Sequence, residues 1–166
     1  MTAGRIDTRA VTGRRRLDFR SWDEVIAETA SLGAAARAGA LTTLGNWSLA
    51  EMFDHLANLL AVATGDLRFA APWPLRLLGR TIGRRMFLGR DFKPGMTLRG
   101  AAARLLPAEG VTLDAAEARL LGLLGRVRAG ERLTASSPLL GPLTHEQWTD
   151  LQLRHFAHHY SFLRPC

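Results

Sequence analysis

"GNWSLAEMFDHLANLLAVATGD", residues 45–66, decides how this chain folds. Ser48 followed three residues later by Glu51 makes a capping box, in which side chain and main chain at a helix start satisfy each other's unpaired donors. Gly65 closes the run where a helix end favours a left-handed residue. The stretch between them is a helix of about four turns.

The same signals recur outward along the chain. Upstream, "SWDEVIAETASLGAAARAG" (21–39) has Ser21 as N-cap, Asp23 and Glu24 in the first turn and Gly39 as a stop. Trp22, Val25, Ile26, Thr29 and Leu32 recur on it at helical spacing. Downstream, "TLDAAEARLLGLLGRVRAG" (112–130) runs from Thr112 as cap to Gly130 as exit. Thr144 and Gln147 form a second capping box, which opens a last helix expected to reach about Leu163. Pro72 to Pro107 is the least regular part, a basic amphipathic piece, "PLRLLGRTIGRRMFLGR" (74–90), followed by the loop-like "DFKPGMTLRG" (91–100). No segment sustains strand alternation and no repeat is visible. The expectation is an all-α chain, a four-helix bundle with an elaborated, partly irregular crossover between its second and third helices. Residues 17–166 form its single domain and residues 1–16 a flexible N-terminal arm.

Composition agrees with one domain. The 166 residues are 47% hydrophobic and 22% charged, enough apolar material for a core and too little charge for disorder. Of the 22 basic residues only Lys93 is a lysine, so the net charge of +7 is almost all arginine. The single cysteine, Cys166, excludes an intrachain disulfide. The basic "GRRRLDF" (13–19) is not followed by a long apolar run, and "LANLLAVA" (56–63) is too short to span a bilayer. A cytoplasmic protein with no transmembrane segment is expected.

"RHFAHHYSFL" (154–163) holds three of the five histidines. On a wheel of 100° per residue, Trp148, Leu151, Gln152, Leu153, Phe156 and Tyr160 share a broad arc with His155 and His159. Asp150, Arg154, Ala157 and Ser161 take the opposite side, and His158 falls at the arc's edge. An i, i+4 pair stacks two imidazoles on one helix face, close enough to share an ion. Two core histidines with other hydrogen-bond partners are the competing reading. One helix face cannot surround an ion, so a third ligand must come from elsewhere. His55, at a boundary position midway along the second helix, is the candidate. His145 lies ten residues before His155, about 15 Å of helix rise, and is too far away. Glu51, four residues before His55, could orient that ring, or serve only in the capping box. His158 could assist from beside the ligands or be a solvated edge residue.

These motifs carry a resemblance. "NWSLAEMFDHLANLL" (46–60) resembles the second helix of the DinB/YfiT-like metalloenzyme superfamily, and "GPLTHEQWTDLQLRHFAHHY" (141–160) resembles its last helix. Within it, the chain is most similar to a bacterial domain-of-unknown-function group with a Gly-x-Leu-Thr…Trp…His-x-x-His-His ending. The likeness runs from about Leu17 to Leu163. It implies a four-helix bundle and a three-histidine metal site of His55, His155 and His159. Two positions depart from it: Phe162 stands where a glutamine is common, and Ser137-Pro138 where His-Pro is common.

Three imidazoles leave coordination positions open on a divalent ion, and Zn²⁺, Ni²⁺ and Fe²⁺ all suit nitrogen donors. The resemblance implies a hydrolase or a thiol or other group transferase acting on a small molecule, itself a thiol in some relatives. The alternative is a non-catalytic helical binding module whose crossover, with Arg76, Arg80 and Arg84 in a row and Leu75, Leu78, Ile82 and Met86 beside them, contacts anionic partners. The plain reading of that crossover packs its apolar side on the bundle and leaves its arginines in water. Nucleic acid is not expected as a partner, and a homodimer is left open.

Overall fold

The computed structural model describes residues 6–68, 71–90, 92–96 and 100–166. The expected arm and the expected 91–100 loop therefore fall partly outside it. In chain order the elements are α1 (Trp22–Arg37), β1 (Leu41–Thr43), α2 (Leu49–Thr64), α3 (Trp73–Leu78), a π-helical turn (Gly79–Gly83) and α4 (Arg84–Phe87). A 3₁₀ segment (Gly100–Leu105), α5 (Leu113–Arg128), β2 (Ser136–Ser137), β3 (Gly141–Pro142), α6 (His145–Tyr160) and β4 (Leu163–Pro165) follow.

The chain is mostly helical, and α1, α2, α5 and α6 are each 16 residues long. Their starts are where the capping signals put them. Ser48 Oγ accepts the Glu51 N–H while the Glu51 carboxylate accepts the Ser48 N–H, and Thr144 and Gln147 repeat the exchange. Ser21 and Thr112 cap α1 and α5 from one side only. Gly65 ends α2 at φ +91°, where a Cβ would be strained.

Helix α2 packs against α5 and α6, and α1 closes over the same pair. Phe53, Leu56 and Leu60 of α2, Leu120 and Leu124 of α5, and Phe156 and Tyr160 of α6 are fully buried. Each such side chain contributes roughly 1.5–3 kcal/mol of burial. The Tyr160 hydroxyl keeps a partner at this depth, lying 2.6 Å from Thr29 Oγ1.

One row on α2 is buried yet polar. The Asp54 carboxylate accepts the Ala108 N–H at 2.8 Å and pairs with Arg119 at 2.7 Å. Asn58 donates to the Leu106 carbonyl at 3.1 Å and accepts from Arg119 at 2.7 Å. His55 belongs to the same row. Main chain 105–108 is thus laid across α2 and held there by side chains. His55 is consequently buried, 4% exposed, rather than at the boundary that its helix position suggested.

Three further expectations are corrected. Helix α6 stops at Tyr160, and β4 then pairs antiparallel with β1, Leu41 facing Pro165 and Thr43 facing Leu163. A second two-stranded pair joins β2 to β3. Strands of two or three residues are too short to show alternation. Ser161, on the side of α6 expected to be exposed, is buried because Arg14 donates to its Oγ and the Arg15 N–H to its carbonyl.

The third correction is the largest. The crossover 73–87 does not bury its bulky apolar residues: Trp73 is 75%, Leu77 60% and Ile82 55% exposed, and Leu78 and Met86 are exposed too. Its buried residues are Gly79 and Gly83, which seat the segment on the turn between β2 and β3. A Cβ at Gly79 would stand 2.3 Å from the Leu139 carbonyl oxygen. Arg84 bends inward as well, donating to the carbonyls of Leu140 and Pro142. Close backbone approach, which only glycine permits, overrides the apolar stripe.

Candidate metal centre

His55, buried in α2, and His155 and His159, one turn apart on α6, come together where the two helices meet. One ring nitrogen of each lies within 4.8 Å of one from the others. The His155 and His159 Nε2 atoms are 3.0 Å apart. Convergence to roughly 3–4 Å is what a shared ion with bonds of about 2.1 Å requires.

Each ring is held by different means. His55 Nδ1–H donates to the Leu105 carbonyl at 2.6 Å, which fixes the tautomer and leaves Nε2 with its lone pair free. The orienting group is therefore backbone; the Glu51 carboxylate is taken up by the Ser48 cap. His155 is buried with Nδ1 lacking a hydrogen-bond partner among the described residues. His159 lies under Trp47, the two rings stacked at 5.7 Å and 16°. Trp47 also packs on His55 at 4.8 Å. The β1–β4 pairing, extended by the Leu44 N–H to the Phe162 carbonyl, holds that loop against the end of α6.

Burial pushes all three imidazoles below their ordinary range. For His155 and His159 the drop is large and is deepened by neighbouring histidines. For His55 the Leu105 carbonyl and the Asp54 charge oppose it. Near neutral pH all three rings are uncharged and have lone pairs to give. Only one proton can lie between the facing Nε2 atoms of His155 and His159, and a cation could replace it.

His158 stands outside this group. Its Nδ1 faces an Arg14 amino group at 3.4 Å, and a hydrogen bond to the Phe92 backbone holds it as well. Burial first, then Arg14, push its pKa down to about 4. His145 is elsewhere, its Nδ1 accepting the Leu133 N–H at 3.3 Å.

The three rings open into a cavity of about 620 Å³. Met52, Leu59 and Val62 of α2, Trp148 and Leu151 of α6, and Phe87, Phe92 and Trp47 give it largely apolar walls. Its one carboxylate among the described residues, Asp7, is paired with Arg9. Phe162 and Ser137-Pro138 line the same cavity. Trp47, Phe92 and Arg14 are the site's contributors that sequence reasoning missed. Trp47 was visible only as a motif residue, and nothing local marks the other two.

No curated protein and no solved structure matches the chain. A family model does, described as "Protein of unknown function (DUF1569)" and matching residues 11–166. The chain belongs to the DUF1569 family.

Proposed function

We propose that His55, His155 and His159 hold one divalent cation, zinc, nickel or iron, and that the protein is a metal-dependent hydrolase or a thiol or group transferase for a small molecule. The observation that carries this reading is the state of the three rings. A core histidine normally has its ring nitrogens satisfied. Here His155 Nδ1 is a buried atom with no partner among the described residues, while its Nε2 faces a second Nε2 and the free nitrogen of His55 lies beside them. Three neutral nitrogen donors with no carboxylate among them suit a borderline metal better than calcium or magnesium.

Such an ion would supply Lewis acidity, acidifying a bound water or thiol. The chain's own residues do the rest. The apolar walls take up the substrate's body and keep water scarce. The Leu105 carbonyl and Trp47 hold two of the rings in place. Among the described residues no separate general base stands at the site: Asp54 and Asp7 are engaged with arginines, and His158 is a poor base with a pKa near 4. The substrate is therefore a small, largely apolar molecule with one metal-binding group, a thiol among the candidates. The DinB/YfiT-like resemblance supports the same ligand set, the four-helix-bundle arrangement of α1, α2, α5 and α6, and residues 17–166 as one domain. Cytoplasmic location belongs to the same reading.

Metal analysis of protein purified without a histidine tag tests it. One equivalent of zinc, nickel or iron is expected, falling at least tenfold in His55→Ala, His155→Ala and His159→Ala and largely retained in His158→Ala. Ser48→Ala, which removes a cap worth about 1 kcal/mol, should keep its metal once folded. A folded apo-protein indifferent to added Zn²⁺, Ni²⁺ and Fe²⁺ overturns the proposal.

A further inference from the structure

We infer that the crossover 73–87 is a docking surface for an anionic lipid bilayer, on which it lies flat with its apolar side in the headgroup layer. Two observations meet there. Trp73, Leu77, Leu78, Ile82 and Met86 are more than half exposed on one continuous segment, which a protein surface in water does not favour. From Leu67 to Arg90 the sequence also has six arginines and no acidic residue. Among the described residues no carboxylate pairs with Arg76, Arg80 or Arg85.

The glycine seat explains how both properties coexist. Gly79 and Gly83 give the segment its attachment to the β2–β3 turn, so its large side chains are left free to face outward. An interfacial helix needs that combination: an apolar side with a tryptophan, and arginines at its flanks whose charge meets lipid phosphate. Other occupants fit less well. Nucleic acid would engage the arginines but offers nothing to five exposed apolar side chains. A second copy meeting this one face to face would bring two acid-free arginine sets together, which like-charge repulsion opposes. No described helix is long and apolar enough to cross a membrane, so the contact is peripheral. Leu75 and Phe87 of this segment also wall the 620 Å³ cavity, which sets the cavity directly behind the docked surface.

The test is co-sedimentation of the full-length protein with vesicles of phosphatidylcholine containing phosphatidylglycerol, against phosphatidylcholine alone. Binding to the anionic vesicles is expected, weakening with salt, and at least tenfold weaker in the double variant Leu77→Glu, Ile82→Glu. Both positions are exposed, so circular dichroism and metal content should stay at parental values; that keeps this result separate from any failure of the metal reading. A blue shift of tryptophan emission on vesicle addition should vanish in Trp73→Phe. The inference is overturned by equal binding to both vesicle types, or by no binding to either. It is also overturned if the double variant dissociates a dimer, or if the parent binds nucleic acid in a salt-sensitive complex instead of vesicles.

Discussion

Helix α2 and the crossover 73–87 are opposite cases of one problem. Helix α2 buries a polar row, Asp54, His55 and Asn58, while the crossover exposes an apolar one, Trp73, Leu77, Leu78, Ile82 and Met86. Both contradict the rule that a helix turns its apolar face inward. In each, the backbone of a distant segment decides. The polar row is buried because it captures the main chain of 105–108, and the apolar row is exposed because the carbonyl of Leu139 takes the glycine side. Unpaired main-chain groups and close backbone approach outrank side-chain hydropathy where they compete.

The comparison can be broken from the polar side first, by acid. The four site-region histidines, His55, His155, His158 and His159, are held neutral in the folded chain. The unfolded chain takes up their protons below about pH 6.5, which the folded chain resists. For His158 that resistance lasts to about pH 4. Stability of the metal-free protein should therefore be full above about pH 6.5 and fall steadily as the pH drops toward 4, by several kcal/mol in total. Urea titrations at a series of pH values would show it; a flat profile would mean that these rings are not buried uncharged.

Asp54→Ala comes next. It leaves the Ala108 N–H without its acceptor and Arg119 without its carboxylate, and should cost about 3 kcal/mol by chemical denaturation. A loss below about 1 kcal/mol would show that main chain 105–108 is not held by this row. Gly79→Ala tests the other region. Its Cβ would stand 2.3 Å from the Leu139 carbonyl, so a loss of about 2 kcal/mol is expected. Gly122→Ala in α5, with nothing within 4 Å, should instead gain about 0.5–1 kcal/mol, so the pair of thermal melts separates seat from propensity. Smallest of all, Leu77→Ser on the exposed row should change stability by less than about 0.5 kcal/mol. A large loss there would mean that the apolar row is covered within the folded chain itself.

What was legible in the sequence was local. Capping boxes at Ser48 and Thr144 are read within four residues, so the starts of α2 and α6 fell where the spacing put them. The i, i+4 spacing of His155 and His159 likewise says that they share a face. Their company with His55 came through the resemblance and the need for a third ligand. What stayed hidden depends on residues far away in sequence. Nothing near His55 announces that the Leu105 carbonyl will orient it, and nothing in "GRTIG" shows that its glycines, not Leu78 or Ile82, will meet the turn between β2 and β3. The β1–β4 pairing joins residues over a hundred positions apart through strands too brief to leave a pattern.

That pairing also sets a clock. As the chain leaves the ribosome, His55 emerges one hundred residues ahead of His155, and the strand that closes the α6 end against Trp47's loop emerges later still. Closing so long a loop is slow and entropically costly, and its reward comes only at the end. The three imidazoles can meet only once His159 has been made and α6 has packed against α2. Any cation that they hold is therefore tied to a long-range closure, because over the hundred residues between His55 and His155 the nascent chain carries one of the three rings alone.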